Sequence, residues 1–256
     1  MLLVTGQEGL LSSALISVLH DSGHEVVVLT RRCEAPCQYP YKVITADLLN
    51  AEQVKDCLAG LAFKGVFHAA AAMDGVAAQQ TDDAGNYLNA VMTKNLLDAL
   101  EPGALGKFVQ VSSIDVYDPA ALSVPMTECS GVKPETEYGR SKLVSEETVQ
   151  QWSLDCGVPN LILRVTQVFG EKDRTRKFIP SVIKRIKSGL PVDVFGDGED
   201  LRDYIYSHDV ARLTHELFRK GCCGTFNLAT GTSRSLKELL NKIVLVSGRD
   251  IEVNYS

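Results

Sequence analysis

Short apolar runs rich in β-branched residues alternate with helical periods from the first residue to about residue 165, and no other feature limits the fold as strongly. "LLVTG" is followed by a helical pattern across 9–22; then come "EVVVLT", a helix across 50–59, "GVFHAA", a long helix near 84–100, "KFVQVSS", a helix near 137–157 and "NLILRVT". Parallel neighbours in a sheet need a crossover between them, and a helix commonly supplies it, so this order predicts a parallel sheet with helices on both faces. The strands are apolar throughout, as burial on both faces requires. In the long helix Leu88, Val91, Met92, Asn95, Leu96 and Ala99 fall on one face, which is expected to pack against the sheet.

After about residue 170 the pattern changes to loops, turns and a basic stretch, "EKDRTRKFIPSVIKRIKSG", followed by the turn "FGDGED". Helical "HDVARLTHELFRKG" and strand-like "GTFNLAT" come next. The expected organisation is a domain over 1–168, to which the chain returns around 203–222, and a smaller lobe from 169–202 and 223–256. With 256 residues, 45% of them apolar, a sizeable core is available. The net charge of −6 argues against a nucleic-acid partner, which would call for a basic face. No apolar run approaches a bilayer-spanning length and no charged leader precedes the first strand, so no membrane partner and a cytoplasmic location are expected. The seven cysteines are scattered. Neither Cys33 with Cys37 nor Cys222 with Cys223 has the second half of a zinc site, so reduced thiols and no metal are expected.

"VTGQEGLLSSAL" reads as a strand, a tight turn and a helix at the head of the first βαβ unit. Gly6 can take the backbone angles of the turn, Gly9 lets the chain approach a pyrophosphate, and the helix start at Leu10 and Leu11 offers amide donors and a positive dipole end. Ser12 stands where a third glycine would ease packing of helix on sheet. The fold class expected is therefore α/β, a Rossmann-like doubly wound parallel sheet with a smaller lobe. In "VVVLTRR" residues Thr30, Arg31 and Arg32 fall where the adenosine ribose is read. A site selective for NAD puts a carboxylate there. This chain offers arginines instead, which favours NADP, with NAD as the alternative. Asp47 follows the third strand, and the small residues Ala69, Ala70 and Ala71 after His68 would let a flat cofactor lie against backbone.

Tyr138 and Lys142 in "YGRSK" lie four apart, so both project from one face of a helix. A phenol is a poor base at neutral pH, but a nearby ammonium and an oxidised nicotinamide both favour phenolate, and Tyr138 could then exchange a proton with a substrate oxygen while hydride moves. Ser113, ending "KFVQVSS", is placed to orient the substrate. Taken together, "TGQEGLLS", "DLL", "FHAAA", "VSSIDVY", "YGRSK", "LILRVTQVFG" and "GDGEDLRDYIYSHDVA" resemble the extended short-chain dehydrogenase/reductase family, in its nucleotide-sugar epimerase/dehydratase group, over nearly the whole chain.

The resemblance implies that Ser113, Tyr138 and Lys142 are catalytic, with Lys142 also holding the nicotinamide ribose. It implies that Gly6, Gly9 and Leu11 form the pyrophosphate turn, that Asp47 and Leu48 contact adenine, that Ala69 and Ala70 lie beside the cofactor and that Asn89 is near it. It places Gln167 and Arg202 toward the substrate, Arg202 meeting a nucleotide diphosphate. The basic stretch holding Arg174 offers a second contact for that diphosphate, or a solvated helix face. Dehydratases of the group carry an acidic pair, or a hydroxyl–glutamate pair, after the catalytic hydroxyl. Ile114 and Asp115 fill those places, which argues against a 4,6-dehydratase; Asp115 is either a substrate contact or a turn residue. The family also continues beyond "DIEVNYS", so a curtailed substrate lobe is expected, and a smaller carbonyl substrate is an alternative to a nucleotide sugar. The leading expectation is an NADP(H)-linked oxidoreductase acting on a sugar carbon, as a homodimer through the long helices. The alternatives are an epimerase that retains its cofactor and a non-catalytic dinucleotide-binding sensor or scaffold.

Overall fold

Seven parallel strands form the main sheet of this computed structural model, in the order β11-β6-β5-β4-β1-β2-β3. The structure describes residues 1–32, 39–72, 87–121, 125–171, 173, 175 and 177–255. The strands are β1 (Leu2–Thr5), β2 (Val26–Thr30), β3 (Lys42–Thr45), β4 (Gly65–His68), β5 (Phe108–Ser113), β6 (Asn160–Val165) and β11 (Gly224–Leu228). Helices α1 (Leu10–Asp21), α2 (Ala51–Leu58), α3 (Leu88–Asp98), α4 (Glu137–Cys156) and α6 (Ser207–Arg219) complete this part of the chain. It is the first of two units, Met1–Val165 with His208–Leu228.

Alternate residues of each strand serve the two faces. Leu3, Val27, Leu29, Val66 and Phe108 pack with Val54 and Leu58 of α2, Leu96 and Leu97 of α3 and Val149 of α4. On the opposite face Phe67 meets Phe218 of α6, ring centroids 5.0 Å apart. Burial on both sides is the physical reason the strand sequences lack polar alternation. The strand order reverses direction between β1 and β4, and in open parallel sheets the ligand crevice lies outside the carboxyl ends of the strands at such a reversal. The turn after β1 and the alanines after β4 both sit there.

Helix boundaries follow from caps. Asn50 accepts the Gln53 amide at 3.1 Å to start α2, and Thr136 accepts the Gly139 amide at 2.9 Å to start α4. Gly157, with φ +72°, ends α4 in the left-handed conformation.

Two expectations need correction. The buried side of α3 carries Asn89, Ala90, Thr93, Leu96 and Leu97; of the expected face, Leu96 is buried and Met92 and Ala99 pack against the core of the sheet, whereas Leu88, Val91 and Asn95 are only half-buried. The buried side extends past the apolar stripe to Asn89 and Thr93, whose hydrogen bonds hold them inward. The first unit also does not stop at residue 222: Gly224–Leu228 pair in register with Leu161–Val165 and close the sheet.

The second unit comprises Thr166–Ser207 and Ala229–Ser256. Where loops and turns were expected after residue 170, it contains β7 (Gln167–Phe169), α5 (Phe178–Lys187), β8 (Val192–Val194), β9 (Leu201–Arg202) and β10 (Tyr204–Tyr206), then β12 (Arg234–Ser235), α7 (Leu236–Ser247) and β13 (Val253–Tyr255). Its core is Val182, Ile186, Val192, Val194 and Leu240. Among the described residues no helix is long and apolar enough to cross a membrane. Cys33 and Cys37 lie outside the described residues, and among those described no group of three or more His, Cys, Asp or Glu could hold a metal.

Candidate active site

The turn after β1 is shaped for close approach. Gly6 has φ +84°, a backbone angle that favours glycine, and a Cβ there would lie a tight 3.1 Å from the Ala70 Cα just beyond β4. Thr5 Oγ1 accepts the Ala70 amide at 3.1 Å and fixes that neighbour. Gly9 is the N-cap of α1 and gives the first turn no side-chain acceptor, nor is there an acidic residue in that turn. The amides at Leu10 and Leu11 thus lack a side-chain cap, an arrangement that suits an anion. Ser12 is buried and returns its hydroxyl to the Gly9 carbonyl at 3.1 Å, which is how a serine fits where a glycine was the simpler choice. Gln7, inside the turn, has a buried Nε2 with no hydrogen-bond partner among the described residues. The Gly6 cradle and this orphaned donor both fit a phosphate-bearing group.

At the end of β2 Thr30 is buried and bonds its own turn, its Oγ1 donating to the Arg32 carbonyl at 3.0 Å. Arg31 and Arg32 are exposed, with no ion pair to either among the described residues. Asp47 is engaged locally, its Oδ1 accepting the Leu49 amide at 3.0 Å. The Leu48 side chain is in the core, and its carbonyl accepts from Asn95 Nδ2 at 2.9 Å, so only its backbone could line an adenine site.

Ser113 ends β5 and caps the 3₁₀ turn Ile114–Val116, its Oγ accepting the Asp115 amide at 3.2 Å. Tyr138 and Lys142 lie in the first turns of α4. Lys142 is 2% exposed; its Nζ donates to the Val111 carbonyl at 3.0 Å and sits 5.8 Å from the Tyr138 ring centroid. Burial pulls this ammonium down to about 8, while the Glu146 carboxylate one turn along opposes the shift. Burial pushes the Tyr138 phenol well above its ordinary value, and the negative charge of Asp115 adds to the rise. Without the nicotinamide, the ammonium is bonded to a backbone carbonyl and Asp115 acts against ionisation of the phenol. Tyr138 is a neutral acid here.

A buried ion pair supports Lys142 from below. Glu146, 1% exposed, accepts from Arg164 Nη2 at 2.7 Å, from Arg164 Nε and from Ser112 Oγ. The Arg164 guanidinium lies 4.8 Å from the centroid of the Tyr117 ring, and Tyr117 donates to Asn227 at 2.6 Å. A second network ties the β1 turn to α4. Thr93 donates to the Asn89 carbonyl at 2.8 Å, so it accepts from His68 Nε2, and His68 Nδ1 accepts from Thr5 at 2.7 Å. His68 is neutral, held down to about 3 by burial and then by the charge of Lys142. Asn89 spends its donors on Ala72 and Ser141 and accepts the Ala72 amide at 2.8 Å, and Ser141 donates to the Tyr138 carbonyl. Asn89 thus braces the segment after β4 against α4 with both of its amide donors engaged.

Three residues were expected toward the substrate. Gln167 is half-buried in β7 of the second unit, and Arg202 is exposed in β9, bonded to Asp200 and to the Leu201 carbonyl. Arg174 lies outside the described residues. The antiparallel register sets Arg234 directly opposite Arg202.

Residues 2–229 match the NAD dependent epimerase/dehydratase family. The chain belongs to that family. A dTDP-glucose 4,6-dehydratase of Haemophilus influenzae is 26% identical over 94% of this chain and 78% of its own length. The solved UDP-glucose 4-epimerase of Thermotoga maritima, with UDP-glucose, shares the fold at a TM-score of 0.89 with 24% identity, over 100% of this chain and 85% of that one. The Thermus thermophilus UDP-glucose 4-epimerase in complex with NAD has a TM-score of 0.84 and 26% identity, over 99% and 85%.

Within this epimerase/dehydratase frame, sequence reasoning missed Gly139, Glu146, Arg164 and His68. A Cβ on Gly139 would run into the Asp115 carbonyl oxygen. The signal was available, because glycine inside a helix costs about 1 kcal/mol against alanine and so calls for a reason. The others are polar residues whose partners sit on separate elements, and no spacing announces them.

Proposed function

We propose that the protein is an NADP(H)-linked oxidoreductase that moves hydride between the cofactor and a sugar carbon of a nucleotide sugar. The observation that carries this is the buried Lys142 over the Tyr138 ring, with Ser113 at the end of β5, in the same unit as the Gly6–Ala70 close approach. When bound, the nicotinamide supplies or accepts the hydride. Tyr138, a neutral phenol, donates its proton to the carbonyl oxygen of the sugar and recovers it in the reverse direction. Ser113 already accepts from the Asp115 amide, so its own O–H is the part left to orient the substrate oxygen. Lys142 keeps its remaining N–H groups for the cofactor ribose and stabilises the phenolate as the proton leaves.

Arg31 and Arg32, exposed at the ribose-reading position with no acid at 30–32, support NADP over NAD. NADPH is expected to bind about tenfold more tightly than NADH; equal or tighter binding of NADH in a fluorescence titration contradicts this. Nucleotide-sugar substrates are supported by the UDP-glucose and dTDP-glucose enzymes that the chain resembles. Ile114 has no proton to exchange, so dehydration is not part of the reading. A homodimer through α3 and α4 accompanies it, supported by the half-buried apolar residues Leu88 and Val91.

A second reading, epimerisation with the cofactor retained, is favoured by the Thermus thermophilus enzyme and its NAD. Incubation with a panel of UDP- and dTDP-sugars separates the two. Loss of reduced-nicotinamide absorbance in step with product marks the reductase; product without that loss marks the epimerase. No product from any sugar overturns both.

A further inference from the structure

The side of α4 that carries Tyr138 and Lys142 continues to Glu146, four residues further on, so the three side chains line one face of the helix. Two strands hold Glu146 at once. Ser112 of β5 donates its hydroxyl to the carboxylate, and Arg164 of β6 binds it through Nε at 3.1 Å and Nη2 at 2.7 Å. Ser112 and Arg164 are register partners in the sheet, so their side chains stand together on the face under α4, and all three residues are buried. Ser112 directly precedes Ser113. Two turns before Glu146, Gly139 lies so close to the Asp115 carbonyl that a Cβ would collide with it. The helix is thus held at two points about 10 Å apart along its axis, with Tyr138 beside the first and Lys142 between them.

We propose that Glu146 is a positioning residue: by holding Ser112 and Arg164 on one carboxylate it fixes the Tyr138–Lys142 face of α4 against the strand end that carries Ser113, and it turns a negative charge toward Lys142. This rests on the hydride-transfer reading above. Apolar side chains of similar volume often match a buried ion pair in stability, but they do not tie a helix to two strands through directed hydrogen bonds. The other titratable groups facing Lys142 are Tyr138 on its own helix, with Asp115 beyond the phenol, and the neutral His68 of β4. Only Glu146 among them favours the ammonium. Its removal therefore displaces the Tyr138–Lys142 face and lets Lys142 lose its proton at lower pH.

The double variant Glu146→Leu/Arg164→Met and the single variant Glu146→Gln are compared with the unchanged protein in urea unfolding, and in kcat, KM and the pH profile of kcat/KM for the active nucleotide sugar with NADPH. The double variant leaves no lone charge in the core, so a merely structural role predicts that, once folded, it keeps its kcat and its pH profile. The proposal expects an unfolding midpoint near that of the unchanged protein, kcat at least about tenfold lower with KM little changed, and an alkaline limb displaced below about pH 8. Glu146→Gln keeps an oxygen for Ser112 and loses the charge; its limb is expected to move the same way with a smaller fall in kcat. An unmoved limb in either folded variant overturns the proposal, as does unchanged kcat in the folded double variant, and either variant decides alone if the other does not fold. If the unchanged protein converts no nucleotide sugar, the hydride-transfer reading falls and this inference falls with it; if it converts one and the variants match it, only this inference falls.

Discussion

Lys142 holds its charge against burial because its surroundings return part of what desolvation takes. The Val111 carbonyl accepts one of its hydrogens, and the Glu146 carboxylate lies one helical turn away. Glu146 is in turn neutralised by Arg164, and breaking such a buried pair by removing one partner costs about 3–5 kcal/mol. With the ammonium at about 8, Lys142 is charged at neutral pH and loses its proton as pH rises through that value. Phenolate stabilisation goes with it. The expected kcat/KM profile therefore falls above about pH 8, with no limb from His68, which is already neutral at pH values above about 3. A profile flat to well beyond pH 9 in the unchanged protein contradicts the role given to Lys142. The Tyr138, Lys142 and Ser113 set was legible in the sequence through its spacing and its place after a strand. Its supports were not, since Glu146 on a helix reads as solvated surface until Arg164 arrives from β6.

Among elements, α4 and the turn at Ile114–Val116 are fitted through one missing side chain. Alanine is a better helix former than glycine by about 1 kcal/mol, so propensity alone predicts that Gly139→Ala stabilises the protein. The collision of its Cβ with the Asp115 carbonyl predicts the reverse, a loss of about 1–3 kcal/mol in urea unfolding and a fall in kcat as Ser113 and Tyr138 part. A stabilised variant of full activity would show that the turn yields freely. Element order was readable from strand and helix periods because the strands are buried on both faces. The full buried side of α3 was not, because it includes Asn89 and Thr93, held inward by hydrogen bonds, while Leu88 and Val91 of the apolar stripe are left half-buried.

For the whole molecule, the reversal of strand order between β1 and β4 gathers a phosphate-fitting turn, a small-residue strand end and the Ser113–Tyr138–Lys142 group into one unit, although they are far apart in sequence. The turn and the triad were each legible locally, and the parallel topology that relates them followed from the alternation of elements. Least legible was the second unit, where two- and three-residue strands carry too few positions for any period to register. The account stands on Tyr138 as the proton donor of a hydride transfer to or from a nucleotide sugar. The most direct test is conversion of the active UDP- or dTDP-sugar by the unchanged protein and by Tyr138→Phe, with NADPH affinity measured for both. The account predicts a loss of at least about a hundredfold in conversion with unchanged NADPH affinity; full conversion by Tyr138→Phe would contradict it.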